Sequence, residues 1–250
     1  ITPATRPEDV DRLNALNGTD DMAPVYCEDF IQWVVEDNFI AGRPAWERVG
    51  VQFTSDVSPY ENIKLSLLNA SHTLLSYPSA LLGHVKVDAA MADERIARLV
   101  RDFMDIDITP LVAVPEDVNI EDYKDSLMSR FANPAISDQV SRLCGDGLSK
   151  FAVYVVPNLK RMLAEGRYID RLAFLLAAYR KYLRGSVFDS KYEIFEPCMT
   201  TEDKVMICSS DPLDFFELQP FKEIGLKNFP AFVEKYLIYT RFDVSDALIG

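Results

Sequence analysis

The stretch ENIKLSLLNASHTLL, residues 61–75, sets Glu61, Lys64, Asn69 and His72 in an otherwise leucine-rich run. At about 100° per residue of a helix, these side chains fall in an arc of roughly 140° that also holds Leu65 and Leu68. They therefore read as polar groups embedded in apolar surroundings, not as a solvated face. A lysine held among leucines is a candidate general base, because desolvation disfavours the ammonium and moves its pKa toward neutrality. An amide and an imidazole beside it suit an oxygen whose charge changes during a reaction. Oxidation of a secondary alcohol needs such a set: a base takes the hydroxyl proton as hydride leaves carbon. The same residues also read as a snorkelling lysine, a helix-capping asparagine and a satisfied core histidine. Spacing alone leaves both readings open.

A second group lies in RFANPAISDQVSRLCGDGLSKF (130–151), where Arg142 and Lys150 flank a Cys144-Gly145-Asp146-Gly147 turn. Two cations near a helix end read as carbonyl caps or surface charges, or as donors for substrate oxygens, since neither can accept a hydrogen bond. Other chemistries lack their motifs. The histidines are His72 and His84, with no HExxH or Cys/His cluster around them, which argues against a metal site. There is no GxSxG elbow, and the glycines form neither GxGxxG nor a P-loop.

The elements that must position these residues are mostly helical. Pro7 followed by Glu8 and Asp9 reads as a helix start. APVYCEDF (23–30) and RVGVQFTSD (48–56) are strand-like. Beyond Asp56 the patterning predicts helices over 59–82, 88–106, 119–132, 137–144, 157–165, 167–184 and 229–248, with Asn119, Gly145, Pro157 and Gly166 as punctuation. The region 186–226 is less regular and contains the strand-like KYEIF. A mainly α fold with a small β element near its start is expected.

Composition narrows the class further. The chain has 250 residues, 48% hydrophobic and 26% charged, enough for a substantial core. A net charge of −13 argues against nucleic acid or an anionic membrane as partner. No run approaches the roughly 18 apolar residues of a membrane span, and the start shows no basic region followed by an apolar one. Cys27, Cys144, Cys198 and Cys208 form no CxxC pair, so buried thiols in a reducing cytoplasm are expected.

Taken together, ITP at the start, CEDFIQWVVEDNF (27–39), GRPAWERVGVQF (42–53), PYENIKLSLLNASH (59–72), MDIDITP (104–110), RFANPAISDQVSRLCGDGLSKF and PNLKRMLAEGR (157–167) resemble the polyol-specific long-chain dehydrogenase/reductase family. The resemblance covers about two thirds of the chain and weakens after residue 186. It implies that Lys64 is the general base for oxidation and the acid for ketone reduction, that Asn69 polarises the reacting oxygen, and that His72 orients the substrate. Arg142 and Lys150 would hold hydroxyls further along the polyol, and Glu61 would take part in proton transfer to solvent. The implied reaction interconverts a polyol and a ketose of the mannitol/fructose kind with NAD or NADP and without metal, in a protein monomeric at full length. The resemblance further implies a multi-helical C-terminal domain like that of 6-phosphogluconate dehydrogenase over 1–250. An N-terminal Rossmann domain that binds the cofactor and adds another asparagine would then be absent from this chain. Fructuronate or tagaturonate reduction on the same scaffold, or a non-catalytic helical interaction module, are the alternatives.

Overall fold

The computed structural model describes Thr2 and residues 5–189 and 193–248. Ile1 and Pro3 of the ITP motif and the first two residues of KYEIF lie outside these. The mainly α architecture with a small β element near its start is the one the chain adopts. The first helix, α1 (Pro7–Asn17), has Pro7 in its first turn with Glu8 and Asp9 behind it, and it ends on Gly18 at φ 65°. Two short strands, β1 (Val34–Glu36) and β2 (Gln52–Thr54), pair in parallel with Val35 opposite Phe53. APVYCEDF is not a strand. No ladder holds it; instead Arg130 takes Glu28 in a two-point ion pair (2.8 and 2.6 Å) and lies 3.9 Å over the Phe30 ring. Glu193–Phe195, the described part of KYEIF, is likewise irregular.

The helical body begins with α2 (58–82), followed by α3 (Val87–Met91), α4 (94–108), α5 (Ile120–Phe131) and α6 (Val140–Cys144). Next come α7 (147–164) and α8 (Asp170–Asp189), and after the irregular segment α9 (Thr201–Cys208), α10 (Gln219–Lys222), α11 (Pro230–Arg241) and α12 (Val244–Ala247). Several boundaries differ from the sequence reading, three of them through a cap or a local backbone angle. The expected 88–106 helix breaks before Glu94, where the Asp93 side chain accepts from Arg95 N–H as an N-cap. The expected 137–144 helix starts three residues late because Ser137 has φ 52°. The expected 229–248 helix breaks at Phe242, which is extended.

Three of these helices contain a π turn: Lys64–Asn69 in α2, Phe103–Ile108 in α4 and Phe151–Val155 in α7. Two precede a proline by one residue, Pro110 and Pro157. A proline lacks its N–H and its ring crowds the carbonyl four residues back, and a widened turn relieves that crowding. This is why α7 runs through Pro157 instead of starting there, ten residues earlier than its sequence suggests. The π turn in α2 has no such proline, and it lies on the Lys64–Asn69 stretch.

Helix α2 lies at the centre, packed against α4, α6, α7 and α8, while α8 packs along α11. Its core side includes Leu67, Ala70, Leu74, Leu75 and Tyr77, each fully buried. Tyr77 packs at a tilt against Tyr179 of α8 (4.5 Å between ring centroids) and reaches the turn between α6 and α7, donating to Cys144 O at 3.2 Å. No described helix is long and apolar enough to cross a membrane. Among the cysteines the expectation of burial holds for Cys144; Cys27 and Cys198 are exposed and Cys208 is half-buried.

Gly147 opens α7 where the packing is tightest. A β-carbon there would lie 2.3 Å from the Tyr77 hydroxyl, 2.6 Å from Glu196 Oε1 and 2.7 Å from the Tyr179 hydroxyl. Those atoms belong to side chains fixed by stacking and hydrogen bonds, so they have little room to yield. Gly147→Ala is expected to destabilise the fold by about 1–3 kcal/mol, despite alanine's better helix propensity. Urea unfolding of the two proteins checks this; equal stability would mean that the turn relaxes freely.

Candidate active site

The π turn changes how α2 presents its polar residues. On a straight α-helix Lys64 and Asn69 would be about 140° apart. The i→i+5 bonding, seen in Ala70 N–H donating to Leu65 O, widens the turn and brings them nearly one above the other. His72 follows one α turn later. The same widening puts the buried stripe at Ile63, Ser66, Leu67 and Ala70. Lys64 is therefore exposed rather than embedded among leucines, as is Glu61, while Leu65, Leu68 and Asn69 are half-buried. Lys64 makes no ion pair among the described residues. The Asn69 amide likewise has no hydrogen-bond partner among them, although the Asn69 carbonyl accepts from Thr73 Oγ1 at 3.1 Å.

The desolvation expected at Lys64 occurs instead at His72 and Lys150. His72 lies against the Phe131 ring at 4.3 Å, and its Nε2 is sealed from solvent with no partner among the described residues. Burial pushes its pKa down to about 3; nearby Asp138 opposes this, while Arg142, Arg130 and Lys150 reinforce it. The ring is thus neutral across the physiological range, able to orient an oxygen but not to carry charge. Lys150 is lowered by burial first and by Arg142 second. Its Nζ donates to Leu143 O (2.9 Å) and Arg142 O (3.3 Å), so it caps the end of α6 and keeps one N–H free.

Arg142 is held by Asp138, a residue that sequence reasoning missed. Arg142 Nε donates to Asp138 Oδ1 at 2.6 Å and Nη2 donates to Oδ2, forming a bidentate pair with the carboxylate buried and the guanidinium half in solvent. The i,i+4 spacing of Asp138 and Arg142 was the available signal, but an irregular loop stands where the helix would have to carry it. Asn158 was also missed. Its amide exchanges hydrogen bonds with Ser66 Oγ (3.2 and 3.3 Å) and donates to Tyr154 O, tying the π turn of α2 to the region just after that of α7.

The structure thus brings His72, Asp138, Arg142 and Lys150 into one electrostatic neighbourhood. Lys64 and Asn69 stand on the same helix as His72 without touching the cations. Among the described residues no His/Cys/Asp/Glu group could hold a metal ion. The set can bind an oxygen chain with fixed donors and offer one solvent-facing amine to a proton. Among the described residues no strand runs into a glycine-rich helix start.

The desolvation of His72 has a consequence for stability. The unfolded chain protonates His72 below about pH 6.5, whereas the folded chain resists until about pH 3. Its contribution to stability therefore falls as pH drops through that window. Buried Asp107, pushed up to about 6 in spite of Arg171, acts with the opposite sign between its folded and unfolded values. Between pH 7 and 5 wild type should lose about 1–2 kcal/mol that His72→Gln keeps. Paired urea titrations at the two pH values test this, because Asp107 cancels in the comparison. Equal losses would show that the ring is not sealed in solution.

Residues 56–237 match the family model described as the mannitol dehydrogenase C-terminal domain, and residues 1–48 match that of the mannitol dehydrogenase Rossmann domain. The polyol:NADP oxidoreductase of Gluconobacter oxydans is 38% identical over 214 residues, which is 84% of this chain and 44% of that protein. The mannitol 2-dehydrogenase of Cereibacter sphaeroides is 40% identical over 212 residues, 85% of this chain and 41% of that protein. Among solved structures, the Pseudomonas fluorescens mannitol 2-dehydrogenase ternary complex with NAD and D-mannitol superposes with a TM-score of 0.88 at 38% identity, covering 99% of this chain and 52% of that one. A D-sorbitol dehydrogenase in substrate-free form gives 0.87 at 34%, covering 96% and 50%. The chain spans about half the length of these relatives. The chain belongs to the mannitol dehydrogenase family.

Proposed function

We propose that this chain is the substrate-handling half of an NAD(P)-dependent polyol dehydrogenase that interconverts a polyol and a ketose of the mannitol/fructose kind. The observation that carries the reading is the proline-independent π turn, which sets Lys64, Asn69 and His72 along one side of α2 with α6 and its Arg142 packed against that helix. π turns of this kind occur often at functional sites. The relatives' greater length supports assigning the nucleotide to a further half of the enzyme, and bound there the nicotinamide supplies the hydride exchange.

This chain's residues handle oxygen and protons. Lys64 Nζ takes the hydroxyl proton in oxidation and returns it in reduction. Asn69 donates its unpaired amide N–H to the reacting oxygen. Neutral His72 offers a ring nitrogen to a substrate hydroxyl, which it can orient without carrying charge. Arg142 and Lys150 direct their remaining donors to hydroxyls further along. Glu61, one turn before Lys64 and exposed, passes the proton to solvent.

Assay of the full-length enzyme with NAD and NADP against polyols and hexuronates tests the reaction; turnover of no polyol overturns it. In that enzyme Lys64→Ala should lower kcat by about 10²–10⁴-fold, the usual cost of a lost general base, while nucleotide affinity stays unchanged. Activity within threefold of wild type would remove the role. Arg142→Ala and Lys150→Ala should each lower kcat/KM by roughly one to two decades, from about 1–3 kcal/mol per lost hydrogen bond. Unchanged values would leave both residues as the helix-end pairings seen here.

A further inference from the structure

The turn between Arg142 and Lys150 is held from outside by a segment more than forty residues later in the sequence. Phe195 O accepts from Asp146 N–H at 2.6 Å. Glu196 then closes on the start of α7. Its Oε1 accepts from Gly147 N–H and from the Tyr179 hydroxyl, both at 2.8 Å, and its Oε2 accepts from Leu148 N–H at 3.1 Å. The first N–H groups of a helix lack intrahelical partners and favour an anion, and here one carboxylate takes two of them.

The contact is short of alternatives. Asp146 sits at φ 55°, a strained value for a residue with a β-carbon, and Gly147 leaves no space for one. Burial raises the Glu196 pKa even against its three donors, so its carboxylate is shielded from bulk water. One turn further on, Lys150 reaches back to the carbonyls of Arg142 and Leu143. The separation of the two cations thus depends on the path of the chain through 145–148.

We propose that Glu196 is a positioning residue for polyol recognition: by capping α7 at Gly147 and Leu148 it sets where Lys150 and Arg142 stand against the substrate chain. This rests on the polyol dehydrogenase reading above. Glu196 makes no hydrogen bond or ion pair with either cation; it acts through the turn, with its charge a lesser, direct influence on Lys150. Gln in its place keeps the shape but turns an N–H donor toward a backbone N–H.

The test uses full-length Glu196→Gln, Lys150→Ala and the double variant, with steady-state kinetics on the best polyol. Glu196→Gln should raise polyol KM about tenfold with kcat within threefold. A role in stability alone would instead reduce the active fraction, lowering kcat at constant KM. If Glu196 acts through Lys150, its effect on KM should largely vanish in the Lys150→Ala background. Should Glu196→Gln fail to fold, Tyr179→Phe removes one donor from the carboxylate and should raise KM severalfold. KM within twofold of wild type in the variant that folds, or additive effects in the double variant, overturns the proposal while leaving the functional reading intact. A wild-type enzyme without polyol turnover overturns both.

Discussion

The close approach at Gly147 is the constraint on which the rest of the site depends. The Tyr77 and Tyr179 hydroxyls and the Glu196 carboxylate converge where a β-carbon would stand. They come from α2, from α8 and from the irregular segment beyond it. Each group also bonds elsewhere, since Tyr77 donates to the last carbonyl of α6, Tyr179 orients Glu196, and Glu196 caps α7. A glycine lets these groups meet at hydrogen-bonding distance around the turn that separates Arg142 from Lys150. The aromatic stack of Tyr77, Phe151 and Tyr179 behind it is apolar and fully buried, which keeps the three elements from sliding.

Around that turn the charges are arranged so that few are satisfied by solvent alone. Asp138 is buried and fully engaged by Arg142; Lys150 is partly desolvated and donates to carbonyls; His72 is neutral because burial outweighs the nearby carboxylate. A buried ion pair of this kind contributes little net stability, because desolvation offsets most of the Coulombic gain. What it provides is direction. The Asp138 carboxylate fixes the guanidinium plane, and the α6 carbonyls fix the ammonium, so the donors left over have defined positions.

Some of this was legible in the amino-acid order. The helical body, the start of α1 at Pro7, the Asn119 cap of α5 and the separation of α7 from α8 at Gly166 follow from capping preferences and the left-handed freedom of glycine. The candidate site residues were singled out by motif resemblance and spacing. Strand-like composition at 23–30 misled, because β-branched and aromatic residues mark a pleated, half-buried surface only where a partner strand exists. There the partner is a side chain, Arg130.

The rest was settled by packing between distant parts of the chain. A helical wheel assumes one turn geometry, so it could not foresee that α2 widens over Lys64–Asn69 and rotates the lysine into solvent. Desolvation is a property of neighbours distant in sequence, which is why it fell on His72 and Lys150 and not on the lysine among leucines. Asp138, Asn158 and Glu196 carry no local signature, since each gains its role from a partner brought near by packing: the Arg142 fork, the Ser66 hydroxyl and the N–H groups of Gly147 and Leu148. Residue types and their spacing dictated which side chains could do chemistry. The fold dictated which of them are neutral, which are paired and which still face an open position, because burial and hydrogen bonding are set by every element that packs around them.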